Sequence, residues 1–154
     1  MDASNAGVQV IDLARERIYK KYKSVVKAGN DVLDNEDEKM FHILRIHCKK
    51  LRYLMEFFSG LFLRKKIDRG VKLLKKLQDN LGDFNDLRIH ENYLLEIGKE
   101  LRLPRIKKNR TLMAIGSLIG ALERERKTVK DAFAETFIDF TSPENRHLFK
   151  QLFI

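Results

Sequence analysis

Apolar residues recur at three- and four-residue intervals over four long stretches of the chain, the pattern of amphipathic helices rather than strands. From Val8 to about Gly29 the stripe is Val10, Ile11, Ala14, Ile18, Tyr22 and Val25, beside polar Arg17, Lys20, Ser24 and Lys27. Gly29-Asn30 reads as its stop signal. The second stretch, Phe41 to Phe62, has no proline and no glycine before Gly60, and should close near Arg64 to Lys66. The acidic run Asp34 to Glu38 ahead of it suits a helix start, where carboxylates cap free amides and meet the positive end of the dipole. A third helix begins at Ile67 and buries Leu73, Leu74, Leu77, Leu81 and Phe84. It either runs through Gly82, which then needs a packing or close-approach reason, or breaks at Leu81-Gly82-Asp83. Pro104 ends it at or before Leu103, inside a basic linker from Leu101 to Lys108.

Leu112, Ile115, Ile119, Leu122, Val129, Phe133, Phe137 and Phe140 mark a long fourth helix. Arg126 sits within that apolar arc, so it either snorkels to the surface or meets a carboxylate or bound anion. Thr141-Ser142-Pro143 opens a short final helix that ends in Leu152-Phe153-Ile154. Residues 1–7 are small and polar and read as loosely held. The expected fold is all-α: an antiparallel four-helix bundle of long helices with a short C-terminal helix, in a single domain over residues 1–154.

The second helix has two faces of opposite character. With His42 at zero on a helical wheel, His42, Arg45, Lys49, Arg52, Tyr53 and Glu56 fall within about 100°. Leu44, His47, Cys48, Leu51, Leu54, Met55 and Phe58 fall within about 120° on the opposite side. One face is to be buried; the other carries a row of cations headed by a histidine. Cys48, on the apolar arc, is expected to be a buried, inert thiol, and His47 a core or boundary histidine.

Composition adds little to this except charge. With 154 residues, 44% hydrophobic and 34% charged, two prolines and no tryptophan, the chain suits one helical domain with a real core. A lone cysteine excludes an intramolecular disulfide. No apolar run approaches the length of a membrane span and the first residues lack a signal-peptide layout, so a soluble, cytoplasmic protein is expected, with no membrane partner. The net charge is +9, and residues 42–76, with eleven cations against Glu56 and Asp68, account for all of it. Such localisation asks for a polyanion. A plain solvated helix face is the simpler alternative.

At H-I-L-R-I-H-C-K-K-L-R-Y-L-M-E-F-F and at L-Q-D-N-L-G-D-F-N-D the chain resembles the CHAD family, the conserved histidine α-helical domain. The family's pattern is roughly H-x-x-R-x-x-x-K-x-L-R-Y-x-x-E followed by L-Q-x-x-L-G-x-x-x-D. His42, Arg45, Lys49, Leu51, Arg52, Tyr53 and Glu56 match the first part; Leu77, Gln78, Leu81, Gly82 and Asp86 match the second. The resemblance extends over most of the chain and implies a bundle of long basic helices that binds inorganic polyphosphate. Family members usually carry two related bundles, and this chain resembles the C-terminal one alone. A homodimer, or an N-terminal half belonging to a longer protein, would complete a two-sided groove.

On that reading His42, Arg45, Lys49, Lys50, Arg52 and Tyr53 line the ligand track. Arg45 and Arg52 give two-pronged hydrogen bonds, the lysines act as point charges, and His42 donates when protonated. Lys72, Lys75 and Lys76 form a second wall if the third helix packs antiparallel to the second. Arg17, Lys20 and Lys27 extend the track, and Arg126 joins it if it meets an anion. Glu56, Asp79 and Asp86 brace the arginines, since a carboxylate facing phosphate repels it. Nucleic acid is a secondary partner, disfavoured because Tyr53 is the one aromatic on the cationic face. His42 with Asp79, Asp83, Asp86 and His90 is the metal alternative, opposed by the surrounding cations and by the lack of paired His or Cys spacing. No Walker loop, nucleophile elbow or zinc spacing is present, so neither enzyme activity nor a cofactor is expected. A phosphohistidine at His42 stays open as the lesser alternative.

Overall fold

A computed structural model describes residues 3–35 and 37–154, with side chains from residue 9 onward. Met1, Asp2 and Glu36 lie outside the described residues, so the loose segment expected over 1–7 is represented by backbone alone, which enters a helix at Ala3. Among the described residues the elements are α1 (Ala3–Asp34), α2 (Glu38–Phe57), a 3-10 turn (Ser59–Leu61), α3 (Arg64–Glu100), α4 (Arg105–Phe140) and α5 (Pro143–Phe153), with no strand. The fold is all-α, as the periodicity predicts.

The helices form two compact units. The first holds the chain up to Asp79 together with Ala134–Ile154; the second is Asn80–Phe133. In the first unit α1 buries Ala14, Ile18, Tyr22, Val25, Ala28 and Val32, and α2 buries Phe41, Leu44, Cys48, Leu51 and Met55, both at the predicted spacing. The end of α4 and all of α5 supply the aromatic filling. Tyr22 stacks on Phe149 with ring centroids 4.2 Å apart, and Phe140 stands 5.5 Å from the same Phe149 ring. Cys48 is fully buried, and burial pushes its thiol up to about 12.

Two predicted boundaries move for packing reasons. Gly29 does not stop α1, which continues to Asp34. Its Cβ position is occupied by the Phe137 ring, so glycine is there to let α4 approach the backbone. α2 ends at Phe57, earlier than Arg64–Lys66, because a tight turn intervenes. In it the Ser59 hydroxyl donates to Glu56 O at 2.8 Å and Leu61 N to Phe58 O at 3.0 Å. The turn reverses the chain, so α2 and the first part of α3 run antiparallel. Arg52 meets Gln78, while Gly70 lies under the Met55 methyl, 2.9 Å from where a Cβ would sit. α5 starts as expected: Ser142 accepts from Asn145 N at 3.3 Å and Pro143 takes the first turn.

The second unit is a helical hairpin made from the rest of α3 and most of α4. The linker is shorter than predicted, because Arg105–Lys108 already form the first turn of α4, Lys108 N donating to Pro104 O at 2.8 Å. Asn80 Nδ2 donates to Val129 O at 3.3 Å near one end, and Gly98 faces Leu112 near the other, which sets the antiparallel register. α3 passes unbroken through Gly82. The close approach expected there is absent: a Cβ at Gly82 would meet nothing within 4 Å. At Arg126 the two alternatives resolve in favour of a carboxylate, Glu91, at 2.9 Å.

Candidate functional site

α2 begins where Asp37 caps it, its carboxylate accepting from Lys39 N at 2.9 Å. Burying Phe41, Leu44, Cys48, Leu51 and Met55 fixes the helix's rotation, and the cation row follows from that. His42 and Lys50 are exposed, Arg45, Lys49 and Arg52 half-buried, and Tyr53 exposed. Arg52 is the best-anchored member. Its Nη1 donates to Gln78 Oε1 at 3.2 Å, its Nε lies 3.3 Å from Glu56 Oε1, and its guanidinium sits 5.6 Å from the Tyr53 ring centroid. Glu56 thus braces an arginine, as expected of it. These contacts orient the guanidinium, and Arg45, Lys49 and Glu56 share its side of the helix.

Further round α2, Lys50 and Tyr53 join a shallow apolar hollow of about 430 Å³ with Leu54, Phe57 and Lys21 of α1. Phe57 is 81% exposed, a second aromatic beside Tyr53 that the wheel did not place with the cations. Lys21 is the residue sequence reasoning missed. It lies one position outside the polar stripe, yet its Nζ reaches His47 Nδ1 at 3.5 Å. Its signal was available: Lys21 stands four residues after Arg17, so the two are neighbours on the helix surface. His47 is the expected boundary histidine, and burial first, then the charges of Lys21 and Lys50, hold its pKa below 6.5.

The lysines of α3 do not form a wall opposite α2; there α3 presents Gln78 to Arg52. Instead Lys72, Lys75 and Lys76 line a separate hollow of about 660 Å³ with Arg69, Asp79 and Asp139. Lys76 is turned to Asp139 at 3.5 Å and Arg69 to Glu144 of α5. The reason is rotation: lysines flank the buried Leu74–Leu77 stripe on both sides, and only coordinates say which side meets which helix. Arg17 and Lys20 are exposed on α1, with the Lys20 carbonyl accepting from Ser24 Oγ. Arg126 belongs to the hairpin unit and is committed to Glu91. Among the described residues no three His, Cys, Asp or Glu side chains gather as metal ligands, and no described helix is long and apolar enough to cross a membrane.

A bundle of long helices with this cationic row on α2 defines the class, and the comparison with family models agrees: the CHAD domain matches residues 2–95. The chain belongs to the CHAD family. The match takes in α1, α2 and most of α3, which is most of the chain, with α4 and α5 beyond it. No curated protein matches the sequence.

Proposed function

We propose that this chain is a non-enzymatic, cytoplasmic module that binds inorganic polyphosphate along the α2 row. The observation that carries the reading is the geometry of Arg45, Lys49 and Arg52. They recur along one side of a helix anchored by its opposite, buried face, at rises of about 6 and 4.5 Å, with Arg52 already oriented by Gln78 and Glu56. A string of phosphates presents a charge at each unit and can meet each of these groups in turn. Replacing Arg45, Lys49 and Arg52 together by alanine should abolish the shift of long-chain polyphosphate in a native gel while the protein stays folded. A triple variant that still retards the polymer assigns the function to another face. Binding by the wild-type chain should also fall steeply as salt rises, through counterion release.

One observation favours a second reading, single-stranded nucleic acid. Tyr53 and Phe57 expose rings between Lys21 and Lys50, an arrangement on which bases can stack. Competing polyphosphate against single-stranded DNA and RNA at equal phosphate concentration separates the two. Polyphosphate should displace the nucleic acid; the opposite order makes the aromatic hollow the primary site.

A further inference from the structure

A hollow of about 400 Å³ lies between α1 and α5, and no residue of α2 contributes to it. Its floor is apolar, made by Val26 and the rings of Tyr19 and Tyr22. Tyr22 is clamped by Phe149 and Phe140 and is only 4% exposed, yet its hydroxyl has no hydrogen-bond partner. A buried hydroxyl without a partner is costly, and an acceptor bound in the hollow would satisfy it. Burial pushes this hydroxyl up to about 12, with the nearby Arg146 charge opposing, so at neutral pH it remains a donor.

The rim supplies the complementary charge. Lys23 and Lys27 come from α1, Arg146 and Lys150 from α5, and each pair is spaced four residues apart on its helix. Against these four cations stands one carboxylate, Asp31. Among the described residues none of the four is in an ion pair, whereas Arg52, Arg64, Arg69 and Lys76 each hold a carboxylate. Like charges brought together on two facing helices, over an unsatisfied donor, are arranged for an anion.

We propose that this hollow binds a phosphorylated small molecule with a flat ring body, the chemistry of a nucleotide, at a site separate from the α2 row. The cations alone would take any phosphate; the apolar floor discriminates, because an inorganic anion leaves it unused. Asn30 and Asp31, one turn beyond Lys27, offer an amide and a carboxylate to the edge of a ring. The phosphates fall to Lys27, Arg146 and Lys150, with the Tyr22 hydroxyl donating from below.

Calorimetric titration with ATP and with inorganic tripolyphosphate, at matched ionic strength, tests this. With the α2 row removed by the Arg45/Lys49/Arg52 alanine changes, ATP should bind more tightly than tripolyphosphate. R146E/K150E should weaken ATP by about tenfold or more, without lowering the thermal midpoint, since both side chains are exposed. Tyr22→Phe should weaken ATP by about fivefold while the unliganded protein melts no lower than wild type. The Arg45/Lys49/Arg52 alanine variant should bind ATP like wild type, so failure of the polyphosphate reading leaves this result standing. Absence of ATP binding at millimolar concentration overturns the proposal. So does an ATP affinity unmoved by both sets of substitutions, or tripolyphosphate binding the Arg45/Lys49/Arg52 alanine variant as tightly as ATP does.

Discussion

A methyl group added at Gly29 would fall within the ring of Phe137, whereas one added at Gly82 would meet open space. Both positions are helical, so the same substitution should act in opposite directions. Gly29→Ala must displace a fully buried phenylalanine and should cost about 1–3 kcal/mol. Gly82→Ala removes backbone freedom from the unfolded chain and should gain about 0.4–1 kcal/mol. Denaturant midpoints of the two variants check both signs. His47 gives the residue scale a second test. Its folded pKa lies below the unfolded 6.5, so in acid the unfolded state binds the extra proton. Stability should fall as pH drops through 6.5 and level off below the folded pKa, and His47→Gln should flatten that part of the profile. An NMR titration of the ring should also show its pKa rising when a polyanion neutralises Lys21 and Lys50.

At the scale of the element, α2 acts as a unit because its charges are individually weak. A single exposed charge contact contributes about 0.2–1 kcal/mol, so Lys49→Ala alone should leave the polyphosphate gel shift nearly intact while the triple change removes it. Much of α2 was legible before the structure: the buried stripe, the acidic cap and the bracing of an arginine by Glu56 all follow from helical spacing. The helix ends were less legible. Glycine marks a stop when it relieves backbone strain, but at Gly29 it admits a neighbouring ring instead, and nothing in the local sequence distinguishes the two. The orientation of α3 was not legible for a related reason. Its cations border both edges of one apolar stripe, so spacing alone cannot tell Lys76, turned to Asp139, from a lysine facing α2. Lys21, Phe57 and the α1–α5 hollow likewise depend on which helices become neighbours.

At the scale of the whole molecule, α3 and α4 are long enough for each to serve two compact units, one a filled bundle and the other a hairpin. Cations concentrated in residues 42–76 of the sequence end up on three different surfaces of the first unit: the α2 row, the hollow at Lys50 and the hollow at Lys72. The charge excess is therefore several short tracks, not one continuous stripe. The one thiol of the chain sits at the centre of that same unit, with no exposed surface. An alkylating reagent can reach Cys48 only when the bundle comes apart, which makes it an internal clock for opening. Its rate of modification should track global unfolding across a urea series. Long polyphosphate, if it grips α2 as proposed, should slow that clock in proportion to how firmly it holds.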